Sequence, residues 1–214
     1  MSGLVVFTLI ALAAVLVGSI FFSRDARVRR KLARTPVQAI AAAIPGTRAR
    51  LTGTIQVLDE QLTSPLTGRS CAYYLATVHE YRSHGKSGSW VEILREERHV
   101  DFLVRDSSGA AHVVMDVPHV VVVRDHNTRS GTFDDPTPTE AAFLEAYSKK
   151  STNFLGLNRS MKYSEGTLEF GEEITVLGAT RRGEGDIRLV IESPLEGGQM
   201  LLTDHPRTVR AQPG

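Results

Sequence analysis

The sequence of 214 residues is poor in the residues that build covalent or metal-stapled sites. Cys71 is its single cysteine, which rules out an intramolecular disulfide and a cysteine-based zinc site within this chain. Its seven histidines (His79, His84, His99, His112, His119, His126 and His205) form no H-x-x-x-H or H-E-x-x-H pair. Charge of one sign is lacking too: the net charge is +1, too small for a general polyanion-binding surface, so nucleic acid is not expected as a partner. No internal repeat, low-complexity tract or βαβ alternation is present, which argues against solenoids and parallel α/β folds. Hydrophobic residues at 42% and charged residues at 23% nevertheless place the chain among globular proteins.

Long hydrophobic runs are absent with one exception. Gly3 to Phe22 contains no charge, and Thr8 and Ser19 are its only hydroxyl side chains. At about 1.5 Å per residue, a helix of this length matches a hydrocarbon core of about 30 Å. No basic residue precedes the run, and its exit, Ser19 to Arg24, is bulky where a signal peptidase requires small residues, so an uncleaved anchor is expected. Arg24, Arg27, Arg29, Arg30, Lys31 and Arg34 follow, against one acid, Asp25. The positive-inside rule then predicts a single-pass protein of the cell membrane, N-terminus outside and C-terminal domain cytoplasmic, with the basic flank against anionic headgroups. Ala14 and Gly18 permit close helix pairing, though such spacing is common in apolar spans.

The remaining roughly 180 residues suffice for one domain with its own core. The expected division is a transmembrane anchor (1–23), a basic juxtamembrane segment with a short helix (24–46), a β-rich domain (47–204) and a loose tail (205–214). Thr35-Pro36 has the chemistry of a helix start, followed by Val37, Ile40, Ala41 and Ile44 at helical spacing. From Thr47 the period becomes that of strands. Alternation or β-branched enrichment marks Ala49–Val57, Cys71–Tyr81, Trp90–Val100, Phe102–Val104, Ala111–Met115, Met161–Phe170, Glu173–Thr180, Ile187–Ile191 and Met200–Thr203, with Val120–Val123 as a short buried strand. Ser64–Gly68, His84–Ser89, Asp106–Gly109 and Arg182–Asp186 are turn signals, and Arg124–Pro136 and Ser151–Ser160 read as polar connections. Thr137-Pro138-Thr139-Glu140 is a capping box that opens a helix running to about Lys149, with Phe143, Ala146 and Tyr147 on one face. The expected fold is mainly β, an antiparallel sandwich or barrel of α+β class, behind an N-terminal transmembrane helix.

Several of these pieces, in order, resemble the GIDE domain, also called the BAM ("beside a membrane") domain. Ser64-Pro65-Leu66-Thr67-Gly68-Arg69-Ser70-Cys71-Ala72-Tyr73-Tyr74 is similar to the family's Pro-x-x-Gly…Cys-x-Tyr-Tyr stretch. Gly53, Trp90, Phe102, Asp106 and Gly109 support it, as do Glu165–Gly171 and Val176–Gly178. The resemblance implies a membrane-adjacent β-rich domain. In organellar ubiquitin ligases of this family two spans flank the domain and a RING finger carries the activity, whereas many prokaryotic relatives lack the RING. This sequence offers neither a second span nor the eight Cys/His ligands of a RING, and the prokaryotic type without a RING is expected.

No catalytic, cofactor-binding or metal-ligating residue is assigned. His112 and His119 lack a third metal ligand. Cys71, at the head of an apolar strand, is expected to pack as a small hydrophobe. Alternation puts Glu165, Thr167 and Glu169 on one face, expected to be solvated near Glu172 and Glu173. Arg95-Glu96-Glu97-Arg98 reads as exposed strand charge, and Gly183-Glu184-Gly185 as a hairpin tip. The expected function is a membrane-tethered, non-enzymatic interaction or scaffold domain. Its partners would be membrane lipid, through the anchor and basic flank, and an unidentified protein or a second copy of itself. The alternatives are a small-ligand-binding or enzymatic β-domain and a ubiquitin-ligase-family relative.

Overall fold

In the computed structural model, residues 28, 30–32, 34–85, 87–116, 118–131, 134–152, 159–185, 187–194 and 198–209 are described. The expected span, Gly3 to Phe22, lies outside the described residues, among which no helix is long and apolar enough to cross a membrane. Among the described residues twelve strands form two sheets. β1 (Arg48–Val57), β5 (Phe102–Arg105), β6 (Ala110–Val113), β10 (Glu173–Arg182) and β11 (Leu189–Glu192) form a closed ring, because β1 pairs with both β5 and β10. β12 (Met200–Thr203) branches from β10 and carries β7 (Pro118–Val121). The second sheet is a half-barrel in which β3 (Ser70–His84) pairs with β2 (Leu62–Thr63), β4 (Ser87–His99) and β9 (Met161–Glu169), and β9 pairs with β8 (His126–Ser130). Most pairs are antiparallel as expected, but β6–β11 and β7–β12 are parallel. Closing the ring joins strands distant in sequence, and no hairpin dictates their direction.

Ala49, Leu51 and Ile55 of β1 join Phe102, Val104, Val113, Ile174, Val176 and Ile191 inside the barrel. Tyr73, Leu75 and Leu168 extend the same core from one face of the half-barrel. The opposite face of β3 and β9, with Tyr74, Ala76, Val78, Met161 and Tyr163, is covered by Phe143 and Leu144 of helix α1 (Pro138–Ala146). α1 starts where the capping box places it: Thr137 accepts the Glu140 N–H, and the Glu140 side chain accepts the Thr137 N–H. It stops at Ala146, short of Lys149, with Ser148 at φ 54°, and the half-exposed Tyr147 meets Phe143 edge-on on the same face, 5.7 Å between ring centres.

The segment before the barrel departs from its sequence pattern. Residues 28, 30–32 and 34 are helical, and Thr35 closes this helix instead of opening one, its N–H and hydroxyl going to the carbonyls of Leu32 and Lys31. Pro36, lacking an N–H, follows as a stop. Val37 bridges Arg50, and only a 3-10 turn, Ile40–Ala42, is left of the helix expected there. The Asp106 carboxylate and Ser108 hydroxyl accept the N–H groups of Ile40 and Ala41, tying this turn to the β5–β6 hairpin (2.9 and 3.0 Å). Val28 and Leu32 pack on Leu177, Leu201 and Val121 of the barrel.

Three further readings are corrected. β7 is half-buried and Val123 exposed, because β7 lies at the edge of its sheet. The Arg124–Pro136 stretch contains a strand, β8, whose polar residues zip onto β9. The expected loose tail forms a helical turn, α2 (Pro206–Val209), with Thr208 and Val209 buried, while residues 210–214 lie outside the described residues.

Candidate functional site

The Pro-x-x-Gly stretch forms a clip over the half-barrel. Gly68, at φ 69°, closes a turn in which the Gly68 N–H bonds to the Ser64 carbonyl and the Ser64 N–H to that of Arg69. Glu165, expected on a solvated face, is 0% exposed beneath this clip. Its carboxylate accepts the Leu66 N–H (2.8 Å) and the Thr67 hydroxyl, and Arg69 Nη2 lies 3.7 Å away. Arg69 also holds Asp125 through two bonds (2.5 and 2.9 Å) and Glu169 (2.7 Å). The covering segment is remote in sequence, so strand alternation identified the face of Glu165 and missed what lies over it.

Cys71 is fully buried beside this network, its thiol pushed up to about 12 by burial, then by Glu165 and Glu169. That buried position matches the packing expected of Cys71, and its surroundings disfavour the thiolate. The charges at 95–98 do more than solvate a strand: Glu97 and Glu96 accept the hydroxyls of Tyr73 and Tyr74, both at 2.8 Å. His112 pairs with Asp101 (3.0 Å) on β6, and His119 sits on β7, with β11, β10 and β12 between them. Among the described residues no group of three His, Cys, Asp or Glu side chains is placed to hold a metal ion.

Burial pushes Asp204 and Glu172 up to about 6, with neighbouring acids adding to it. Asp204 accepts the Val123 N–H through both oxygens (2.9 and 3.0 Å), and Glu172 accepts the Glu169 N–H (3.1 Å). These carboxylates close chain crossings.

A recess of about 680 Å³ lies between the 3-10 turn and the β10–β11 hairpin, and the Asp106–Gly109 turn beside it is already bonded to the 3-10 turn. Polar groups converge better in a smaller recess of about 380 Å³ on the half-barrel, where His79, Trp90, Arg124, Asn127, Arg129, Lys162 and Ser164 meet. The long β3–β4 hairpin brings Trp90 across β3, and the ammonium of Lys162 sits 3.8 Å from the centre of its ring. Ser164 is 9% exposed and its hydroxyl has no hydrogen-bond partner among the described residues. Sequence reasoning missed this set because its members are scattered over the polar positions of four strands and a loop.

Residues 74–208 match the sequence profile of the family described as GIDE, E3 ubiquitin ligase. The chain belongs to the GIDE family. No curated protein and no solved structure matches it. The GIDE profile begins within the Tyr73-Tyr74 pair and takes in β4 to β12 and α2.

Proposed function

We propose that this GIDE-family chain is a membrane-tethered, non-enzymatic docking domain held at the cytoplasmic face. The observation that supports this best is the short distance between anchor and fold. Only residues 23–27 separate the apolar run ending at Phe22 from Val28, which is packed on the barrel. Even fully extended, that linker reaches about 20 Å. A domain attached so closely is confined to the membrane surface, and the basic flank favours the anionic leaflet.

The long edge strand β4 is the docking surface in this reading, through strand addition. Among the described residues β4 pairs only with β3 and leaves its outer edge open. The ligase label of the family is not carried over as an activity. The matched stretch, 74–208, contains no cysteine, and a RING requires a full set of Cys and His zinc ligands.

The test is photo-crosslinking in native membranes, with the crosslinker in place of Arg98 on β4 and, as control, of Lys149 after α1. The reading predicts a stoichiometric partner captured from position 98, not from 149, and lost when the chain begins at Arg24. Beginning it at Thr35 instead would remove the helical residues that cover Leu177 and Leu201. Capture of the chain alone would replace a foreign partner with self-association, and no capture at either position would overturn docking at β4.

A further inference from the structure

The recess at Trp90 has an electrostatic imbalance that the fold does not resolve. Arg124, Arg129 and Lys162 line it, and none of them has an ion-pair partner among the described residues. The neighbouring acids are committed elsewhere: Asp125 to Arg69, Glu80 to Arg82 and Arg159, and Glu140 to Thr128 and the α1 cap. Glu92 lies 3.8 Å from His79 at the rim. Arg124 does no more than donate a long bond to Thr77 (3.4 Å). Three cations around about 380 Å³ repel one another at a cost that an anion between them would remove.

We propose that this recess binds a compact, multiply charged oxyanion, a phosphate monoester group, carried by a small soluble molecule or by a lipid headgroup. Three cations exceed what one carboxylate can neutralise, and phosphate offers three terminal oxygens to the two guanidinium forks and the ammonium. The hydroxyl of Ser164, buried and unpartnered at the recess, and the Asn127 amide add neutral polar groups. The Trp90 ring fixes Lys162 at the mouth. His79 registers the same field: burial holds it below its ordinary value, and Arg124 and Lys162 push the same way against Glu92. A bound dianion would raise it. This inference is separate from docking at β4: the recess lies on a face of the half-barrel lined from β3, β4, β8 and β9, whereas docking would use the outer edge of β4.

Trp90 is the only tryptophan in the chain, so intrinsic fluorescence reports on the recess directly. Full-length protein in phosphatidylcholine nanodiscs would be titrated with inorganic phosphate at constant ionic strength, with chloride as reference. The expected result is a saturable change, accompanied by a rise in the His79 titration midpoint followed by NMR. Arg129→Gln, which leaves the Lys162–Trp90 contact in place, should weaken binding about tenfold. A second arm uses nanodiscs containing phosphatidic acid. A change seen only there and abolished by Arg129→Gln supports the site with lipid as the source of the phosphate. No change beyond chloride in either arm, or an unaltered response in the Arg129→Gln variant, overturns the proposal.

Discussion

Glu165 is the residue on which the family-like clip depends. Its carboxylate is taken out of water and compensated by the Leu66 N–H, the Thr67 hydroxyl and the nearby Arg69 guanidinium. Glu165→Ala leaves these donors unanswered and should destabilise the domain by about 3 kcal/mol in urea unfolding, with Glu165→Gln losing less. A wild-type midpoint in the alanine variant would contradict the clip. Asp204 and Glu172 set a pH dependence of definite sign. Their folded values, about 6, lie above those of the unfolded chain, so between about pH 4 and 6 the native state binds more protons than the unfolded one. Their contribution to stability therefore grows as pH falls from 7 to 5, by about 1 kcal/mol from the more buried Asp204. Asp106 and Asp125 are held below the usual carboxylate range, and their stabilisation is lost only at lower pH. Urea midpoints at pH 7 and 5 test this, and Asp204→Asn should flatten the difference.

At the scale of elements, local chemistry was readable and long-range covering was not. The α1 capping box and the Asp106 turn are complete within a few residues, and the structure reproduces both. Thr137→Ala should cost about 1 kcal/mol, measured by thermal or urea unfolding. Gly53 was legible only as a glycine inside a strand, and its reason lies in the barrel seam. There β1 passes from β10 to β5, and a Cβ would run into the Arg105 carbonyl. Gly53→Ala should cost about 2 kcal/mol by the same measurement, since backbone rather than a pliant side chain must move. β8 escaped detection because His126–Ser130 has no apolar face to advertise a strand, and β9 alone defines it. The recess residues escaped for a related reason: each is an ordinary position on its own strand or loop, and only the fold unites them.

For the whole molecule, Arg50 links the two ends of the described chain. It is 2% exposed, and its guanidinium donates to the carbonyls of Leu32, Thr35 and Thr208 (2.8, 3.0 and 2.5 Å). It thereby satisfies carbonyls at the end of the helix that precedes the barrel and one of α2. Arg50→Met should release both ends, seen as faster tryptic cleavage at Arg30, Lys31 and Arg34, and Arg50→Lys should rescue poorly because a point charge cannot span three acceptors. The same clamp would hold the fold close to the proposed anchor, and placement of the domain at the cytoplasmic face is the central claim of the proposal. Cys71 is buried and therefore silent toward thiol reagents, so a single exposed cysteine at Ser83 on the β3–β4 hairpin gives a clean signal. The decisive measurement is labelling of Ser83→Cys with a membrane-impermeant maleimide in intact cells and after permeabilisation. The account predicts labelling only after permeabilisation, in the membrane fraction. Labelling in intact cells, or recovery of the protein away from membranes, would contradict it.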